Sequence, residues 1–107
     1  MSANGQQGSL GPWQPGSLAA WEDYNDWQGQ DKKTLKRVNA LIEDTLREPF
    51  KGIGKPEPLK ENLSGFWSRR IDDTNRLVYC VDAKSLVVIA CRYHYQSSLR
   101  LFDFWNN

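Results

Sequence analysis

Apolar residues return at helical spacing between residues 31 and 47. Leu35, Val38, Leu41, Ile42 and Leu46 fall on one stripe, and the positions between them are mostly polar or charged. The stripe predicts an amphipathic helix to about Arg47, N-capped by Asp31 and stopped by Pro49, whose ring and missing N–H cannot continue a helix. A shorter helix is expected before it, from about Leu18 to Gln28. Ser17 serves as its N-cap, and Trp21, Tyr24 and Trp27 recur at i, i+3 and i+6. Residues 50–59 form a Gly/Pro-rich connection, and beyond it the pattern changes to that of strands. Three are predicted, at Gly65 to Ile71, Arg76 to Asp82 and Leu86 to Tyr93, with turns at 62–65 and 72–75 and a hairpin closing at 82–85. Two helices followed by an antiparallel sheet make an α+β layer fold, the helices packed on a twisted antiparallel β-sheet.

Residues 1–17 hold four Gly, two Pro and three Gln, with little apolar surface to offset the entropy of ordering them. They are predicted to be a flexible leader. Pro12 and Pro15 also argue against a strand there, because each removes a ladder donor.

Composition narrows the function classes. A chain of 107 residues supports one domain and leaves little room for a large multi-part active site. No apolar run approaches the ~20 residues of a membrane span, and the N-terminus has neither the basic start nor the apolar stretch of a signal peptide. Cys80 and Cys91 lack metal-type spacing, so neither a disulfide framework nor a metal site is suggested. The chain reads as soluble and cytoplasmic, with no cofactor implied.

A net charge of +1 conceals an asymmetry. Residues 1–31 carry four acids and no base, whereas Lys32 to Arg100 carry 14 bases against eight acids. A positive body suits a polyanion such as RNA, although an ordinary solvated surface gives the same count. Lys32, Lys33, Lys36 and Arg37 crowd the first turns of the second helix, the end where the dipole disfavours cations. That small cost is consistent with a partner.

The residues that could carry chemistry are Lys55, Glu57, Lys60, Arg69, Arg70, Arg76, Arg92, His94 and Tyr95. Singly, each has a bland reading as a turn or surface group. Pro56 and Pro58 fix the backbone around Glu57, which could hold a catalytic carboxylate still. His94 is the one histidine, the side chain best placed for proton transfer near neutral pH. Arg69 and Arg70 alternate across a strand, so only one of them can face a given ligand. Together, a carboxylate, a histidine and several arginines suffice for RNA cleavage without a metal. A base takes the ribose 2′-OH proton, an acid protonates the leaving 5′-oxygen, and guanidinium groups stabilise the phosphorane. On composition and spacing alone, a plain binding domain stays ahead of this reading.

Four ordered motifs add more. Gly52-Ile-Gly-Lys-Pro-Glu-Pro-Leu-Lys60, Leu63-Ser-Gly-Phe-Trp-Ser-Arg-Arg-Ile71, Arg76-Leu-Val-Tyr79 and Arg92-Tyr-His-Tyr95 closely resemble the YoeB toxins, within the RelE superfamily of toxin–antitoxin ribonucleases. The resemblance runs from about Trp21 to Tyr95. It implies a ribosome-dependent mRNA endoribonuclease that needs no metal. By the same resemblance the chain is neutralised by a YefM-like antitoxin, is often a homodimer, and meets operator DNA only through the antitoxin complex. Carried over residue by residue, it makes Glu57 the general base, His94 the general acid and Arg76 the phosphate-charge stabiliser, with Tyr95 helping to form the site. Lys55, Lys60, Arg70 and Arg92 are assigned to mRNA or ribosomal RNA phosphates. The toxin domain is then 18–95.

Two features depart from the family pattern. Family members begin with a short strand before the Trp-containing helix, where this chain has Gly11-Pro-Trp-Gln-Pro-Gly-Ser17. The family ends near the His-Tyr pair, whereas residues 96–107 follow here as an extension containing Leu99, Leu101, Phe102, Phe104 and Trp105. Such a tail could cover the site, extend the sheet or form a dimer contact.

The strands also supply a geometric test. A two-residue turn at Ala83-Lys84 in a regular hairpin pairs Arg76 with Cys91 and sends His94 to the opposite face. A three-residue loop, or a bulge near Arg92, pairs Arg76 with Arg92 and brings His94 to their side. The catalytic reading predicts one of the latter. A catalytically silent module that binds an antitoxin or the ribosome, or a free RNA-binding domain, requires neither.

Overall fold

Asp31 divides the helical half of the molecule. In the computed structural model, which describes residues 13–92, its carboxylate accepts from the Lys33 and Thr34 amides, both at 3.1 Å, and from the Thr34 hydroxyl at 2.7 Å. Its backbone amide donates to Trp27 O at the end of the preceding helix. One residue thus ends α1 (Leu18–Gln30) and starts α2 (Lys32–Arg47). Ser17 caps α1 as expected, accepting from the Ala20 amide at 3.1 Å. The helix runs two residues beyond Gln28.

The strands are β1 (Gln14–Pro15), β2 (Glu57–Pro58), β3 (Trp67–Arg70), β4 (Arg76–Asp82) and β5 (Ser85–Ala90), with a 3₁₀ turn at Glu61–Leu63. They form one sheet in the order β1-β5-β4-β3-β2. The helices pack on one face, where Trp27, Val38, Leu41 and Ile42 meet Leu77, Tyr79, Leu86 and Val88. On the other face Leu59 and Phe66 fold back over Val78, Ile89 and Ala90.

Two expectations need correction. The sheet is mixed rather than wholly antiparallel, because β1 pairs with β5 in parallel. The strand that Pro12 and Pro15 argued against does form at Gln14–Pro15, so residues 13–17 belong to the fold and not to a flexible leader. The proline is tolerated because β1 is a two-residue edge strand, and the amide that donates to Val88 O, at 2.7 Å, is that of Gly16. Ser17 adds a bond from its hydroxyl to Ile89 O.

The β4–β5 hairpin combines the two geometries considered above. Its loop has two residues, Asp82 pairing with Ser85, and Ala83 adopts φ +55°. The register then shifts by one: Tyr79 faces Val88 but Val78 faces Ala90, so Ile89 is an extra residue in β5. Val88 packs on the helix side, Ile89 and Ala90 both pack on the far side, and Cys91 returns to the helix side. Continued past Ala90, this register aligns Arg76 with Arg92. The ladder itself stops at Ala90, three residues short of the expected Tyr93. There α1 takes over the chain: Trp27 Nε1 donates to Cys91 O at 2.7 Å, and the Cys91 amide donates to the buried Asp23 carboxylate.

Candidate active site

Arg69 and Arg70 divide their work as strand alternation requires. Arg69 points under the sheet and is wholly buried. Its guanidinium donates to the Asp44 carboxylate at 2.7 Å, to the Ile53, Glu48 and Lys51 carbonyls at 3.1, 2.5 and 2.7 Å, and to the Tyr79 hydroxyl at 3.3 Å. The Tyr79 hydroxyl in turn donates to Pro49 O at 2.6 Å. One side chain therefore ties the end of α2 to the connection at 48–53, a task suited to the five-donor fork of arginine. Burial pushes the Asp44 carboxyl up, but bonds from Arg69, the Ile53 amide and Arg47 outweigh it and hold the group below the usual carboxylate range. Burial raises the Tyr79 phenol, against the opposing Arg69 bond.

This anchored connection delivers the Lys-Pro-Glu-Pro segment to the sheet. Gly54 passes so close to β3 that a Cβ there would lie 2.6 Å from Leu41 Cδ2 and 3.2 Å from Arg70 O. Its carbonyl accepts from the Arg70 amide at 2.6 Å. Lys55 follows at φ +52°, in the left-handed region that non-glycine residues seldom occupy. Glu57 then pairs with Ser68 as the edge strand β2 begins.

Cross-strand partners share a face of a sheet. Glu57, Ser68, Val78 and Ala90 form one row, and the Arg70–Arg76 pair forms the next. Val78 and Ala90 pack away from the helices, so Glu57, Arg70 and Arg76 belong to that same face. Glu57 and Arg76 lie two strands and two residues apart, about 12 Å between Cα atoms, a span that their side chains can close around a phosphodiester. The Ser68 hydroxyl and Arg76 Nε are buried and meet no hydrogen-bond partner among the described residues. Two such groups on one face mark a surface whose polar capacity is not used up within the described fold.

The other expected site residues are distributed unevenly. Lys55 and Lys60 flank β2 and are exposed, as is Glu57. Arg70 pairs with Asp73 at 2.8 Å on the surface. Arg92 is not with Arg76 on the face away from the helices. It binds Asp26 at 2.8 Å and stacks 5.2 Å from the centre of the Trp27 ring, on the outside of α1. His94 and Tyr95 lie outside the described residues, as does the 96–107 extension. Ser68 was not singled out in the sequence, since nothing in the pattern marks a buried serine opposite a loop glutamate. Among the described residues, no three His, Cys, Asp or Glu side chains gather as a metal site would require, and no helix is long and apolar enough to cross a membrane.

Comparisons with known proteins identify the family. The toxin YoeB of Escherichia coli K12 is 62% identical over 79 residues, which cover 74% of this chain and 94% of that protein. A YoeB dimer from Staphylococcus aureus superposes with a TM-score of 0.69 at 48% identity, covering 74% of this chain and 92% of that one. A heterotetrameric YoeB–YefM toxin–antitoxin complex from the same organism gives 0.72 at 44% identity, covering 79% and 100%. Residues 17–95 match the family model described as the YoeB-like toxin of bacterial type II toxin–antitoxin systems, and the chain belongs to that family.

Proposed function

We propose that this toxin is a ribosome-dependent mRNA endoribonuclease whose chemistry rests on Glu57, Arg76 and His94. The observation that carries the reading is the sheet face away from the helices, where the Glu57 carboxylate of β2 shares a face with the Arg76 guanidinium of β4, and Arg76 Nε and the intervening Ser68 hydroxyl are buried without partners among the described residues. In this mechanism Glu57 takes the proton of a ribose 2′-OH, and the oxygen attacks the adjacent phosphorus. The P–O5′ bond breaks as His94 protonates the leaving oxygen, giving a 2′,3′-cyclic phosphate and a 5′-hydroxyl. Arg76 bonds the phosphoryl oxygens as negative charge builds, and Tyr95 completes the site. Lys55, Lys60, Arg70 and Arg92 hold neighbouring RNA phosphates, Arg92 after exchanging Asp26 for one of them. The toxin domain spans 18–95 with β1 added at its front, and it works in the cytoplasm.

The Staphylococcus aureus relatives support two partners: a YefM-type antitoxin and a second copy of the chain. Operator DNA is met only through the antitoxin complex. A catalytically silent module is the rival, and the engagement of Arg92 with Asp26 and Trp27 is the observation in its favour.

Purified protein, mRNA-programmed ribosomes and EDTA decide between them. The wild type should cleave, and Glu57→Ala and His94→Ala should each slow cleavage by about 10²-fold or more while staying folded. Intact mRNA with folded, ribosome-bound wild type would establish the silent module instead.

A further inference from the structure

Arg37, on the second turn of α2, reaches across to the end of β3. Its Nε donates to Ile71 O at 3.3 Å and its Nη2 to Arg70 O at 3.1 Å. Its Nη1 meets no partner among the described residues. With Gly54, Lys55, Arg70, Ile71 and Asp72 it lines an open cleft of about 360 Å³. Three basic residues thus line the cleft from three separate elements: a helix, a loop and a strand end.

We infer that this cleft is a phosphate subsite that grips the RNA strand one nucleotide from the scissile bond, with Arg37 as a contact residue that no motif assigned. The inference rests on the endoribonuclease reading above. Four observations carry it. Lys55, which lines the cleft, holds a left-handed and strained backbone at φ +52°, next to Gly54, which packs tightly on β3. Its ammonium has no hydrogen-bond or ion-pair partner among the described residues. The one partner of the Arg70 guanidinium among the described residues, Asp73, is almost fully exposed, so the pair is weak and exchanges readily for a phosphate. Asp72 is the opposing charge in the cleft, and its carboxylate is already held by the Thr74 and Asn75 amides and the Asn75 side chain.

Position names the ligand. Lys55 lies two residues before Glu57, in the loop that enters β2, and Arg70 lies two residues after Ser68 on β3. The cleft is therefore about 7 Å along the sheet from the Glu57–Ser68 row, a short step on the scale of one nucleotide. The exposed Lys33 and Lys36 stand on the α2 turns beside Arg37 and continue the positive path outward.

The test is binding of the full-length chain to 70S ribosomes programmed with mRNA carrying 2′-O-methyl riboses, which resists cleavage. Kd is measured from 50 to 300 mM KCl. Arg37→Gln should weaken binding several-fold and lower the slope of log Kd against log salt by about 0.7, the loss of one single-strand phosphate contact. Arg37→Lys, which keeps the charge but not both carbonyl bonds, should keep the wild-type slope. Lys55→Gln carries the same test on an exposed residue, should Arg37→Gln fail to fold. Ribosomes without mRNA separate the sources: a slope change that persists there assigns the phosphate to ribosomal RNA and overturns the mRNA subsite. An unchanged slope in folded Arg37→Gln and Lys55→Gln overturns it as well. So does Arg37→Lys proving as defective as Arg37→Gln, because that would make Arg37 a backbone clamp alone. Failure of the parent reading looks different, since the wild type would then leave unmodified mRNA uncut whatever the slopes.

Discussion

Arg69→Met removes the guanidinium that organises the approach to the candidate active site while nearly conserving volume. Breaking a buried ion pair from one side costs about 3–5 kcal/mol, chiefly by stranding the other charge. Here the stranded group, Asp44, is 14% exposed and keeps Arg47 at 2.6 Å and the Ile53 amide at 3.0 Å, which places the loss at the lower end. The Glu48, Lys51 and Ile53 carbonyls belong to exposed residues and can turn to water, so they add little. The expected loss is about 3 kcal/mol, a large part of the 5–15 kcal/mol typical of a domain, and it should lower Tm by roughly 12–24 °C. Urea unfolding followed by tryptophan fluorescence measures it. Asp44→Asn and the double variant complete a cycle in which the coupling should be about 2 kcal/mol. Hydrogen exchange should accelerate first at residues 48–55, the segment that Arg69 ties down. A loss below about 1 kcal/mol, or a coupling near zero, would refute the claim that this pair holds the segment in place.

Acid should destabilise the protein through Asp44 and Asp72. In both, burial pushes the carboxyl up and hydrogen bonds outweigh it, so each folded pKa lies below the ordinary 3.8. A depressed folded pKa contributes stability that is present above the unfolded value and lost as pH falls through the folded one. Tm should therefore be flat above about pH 5 and fall below about pH 4, with a shallower fall in Asp44→Asn; an identical acid slope in that variant would contradict the assignment. Gly54→Ala should cost about 2–3 kcal/mol, since φ is +79° and the new Cβ would press on Leu41, Arg69 and the Arg70 backbone. Gly29→Ala, inside α1 and facing open space, should gain about 0.5–1 kcal/mol. Thermal melts compare the two, and a neutral Gly54→Ala would mean that the 54–55 turn does not pack on β3.

Where one local rule acted alone, the sequence was sufficient. The Leu35–Leu46 stripe and the Asp31 cap give α2 its bounds, and the β-branched and aromatic content of Arg76–Asp82 gives β4 without error. Where tertiary contacts competed with a local rule, they won. Pro15 is a poor strand residue, yet an edge position beside β5 asks for no donor from it. The expected strand to Tyr93 is β-branched and aromatic, yet Trp27 and Asp23 capture the Cys91 peptide and end the ladder early. The same limit applies to the site. Motifs picked out Glu57, Arg70 and Arg76, but the burial of Arg69, the Ser68 hydroxyl without a partner among the described residues and the reach of Arg37 follow from packing that no spacing in the chain encodes.

The bulge at Ile89 links fold to function. Without it, the two-residue turn at Ala83-Lys84 would set Arg76 against Cys91, and every residue after Ile89 would change face. Apolar patterning alone would not object, since Ile89, Ala90 and Cys91 are all small or hydrophobic and all buried. The extra residue has a visible cost, because Ile89 interrupts the ladder in a small sheet with little stability to spare. What it secures within the described residues is the return of Cys91 to the helix side, where its peptide meets Trp27 and Asp23. In the proposed mechanism the same shift decides on which face the chain leaves β5 on its way to His94.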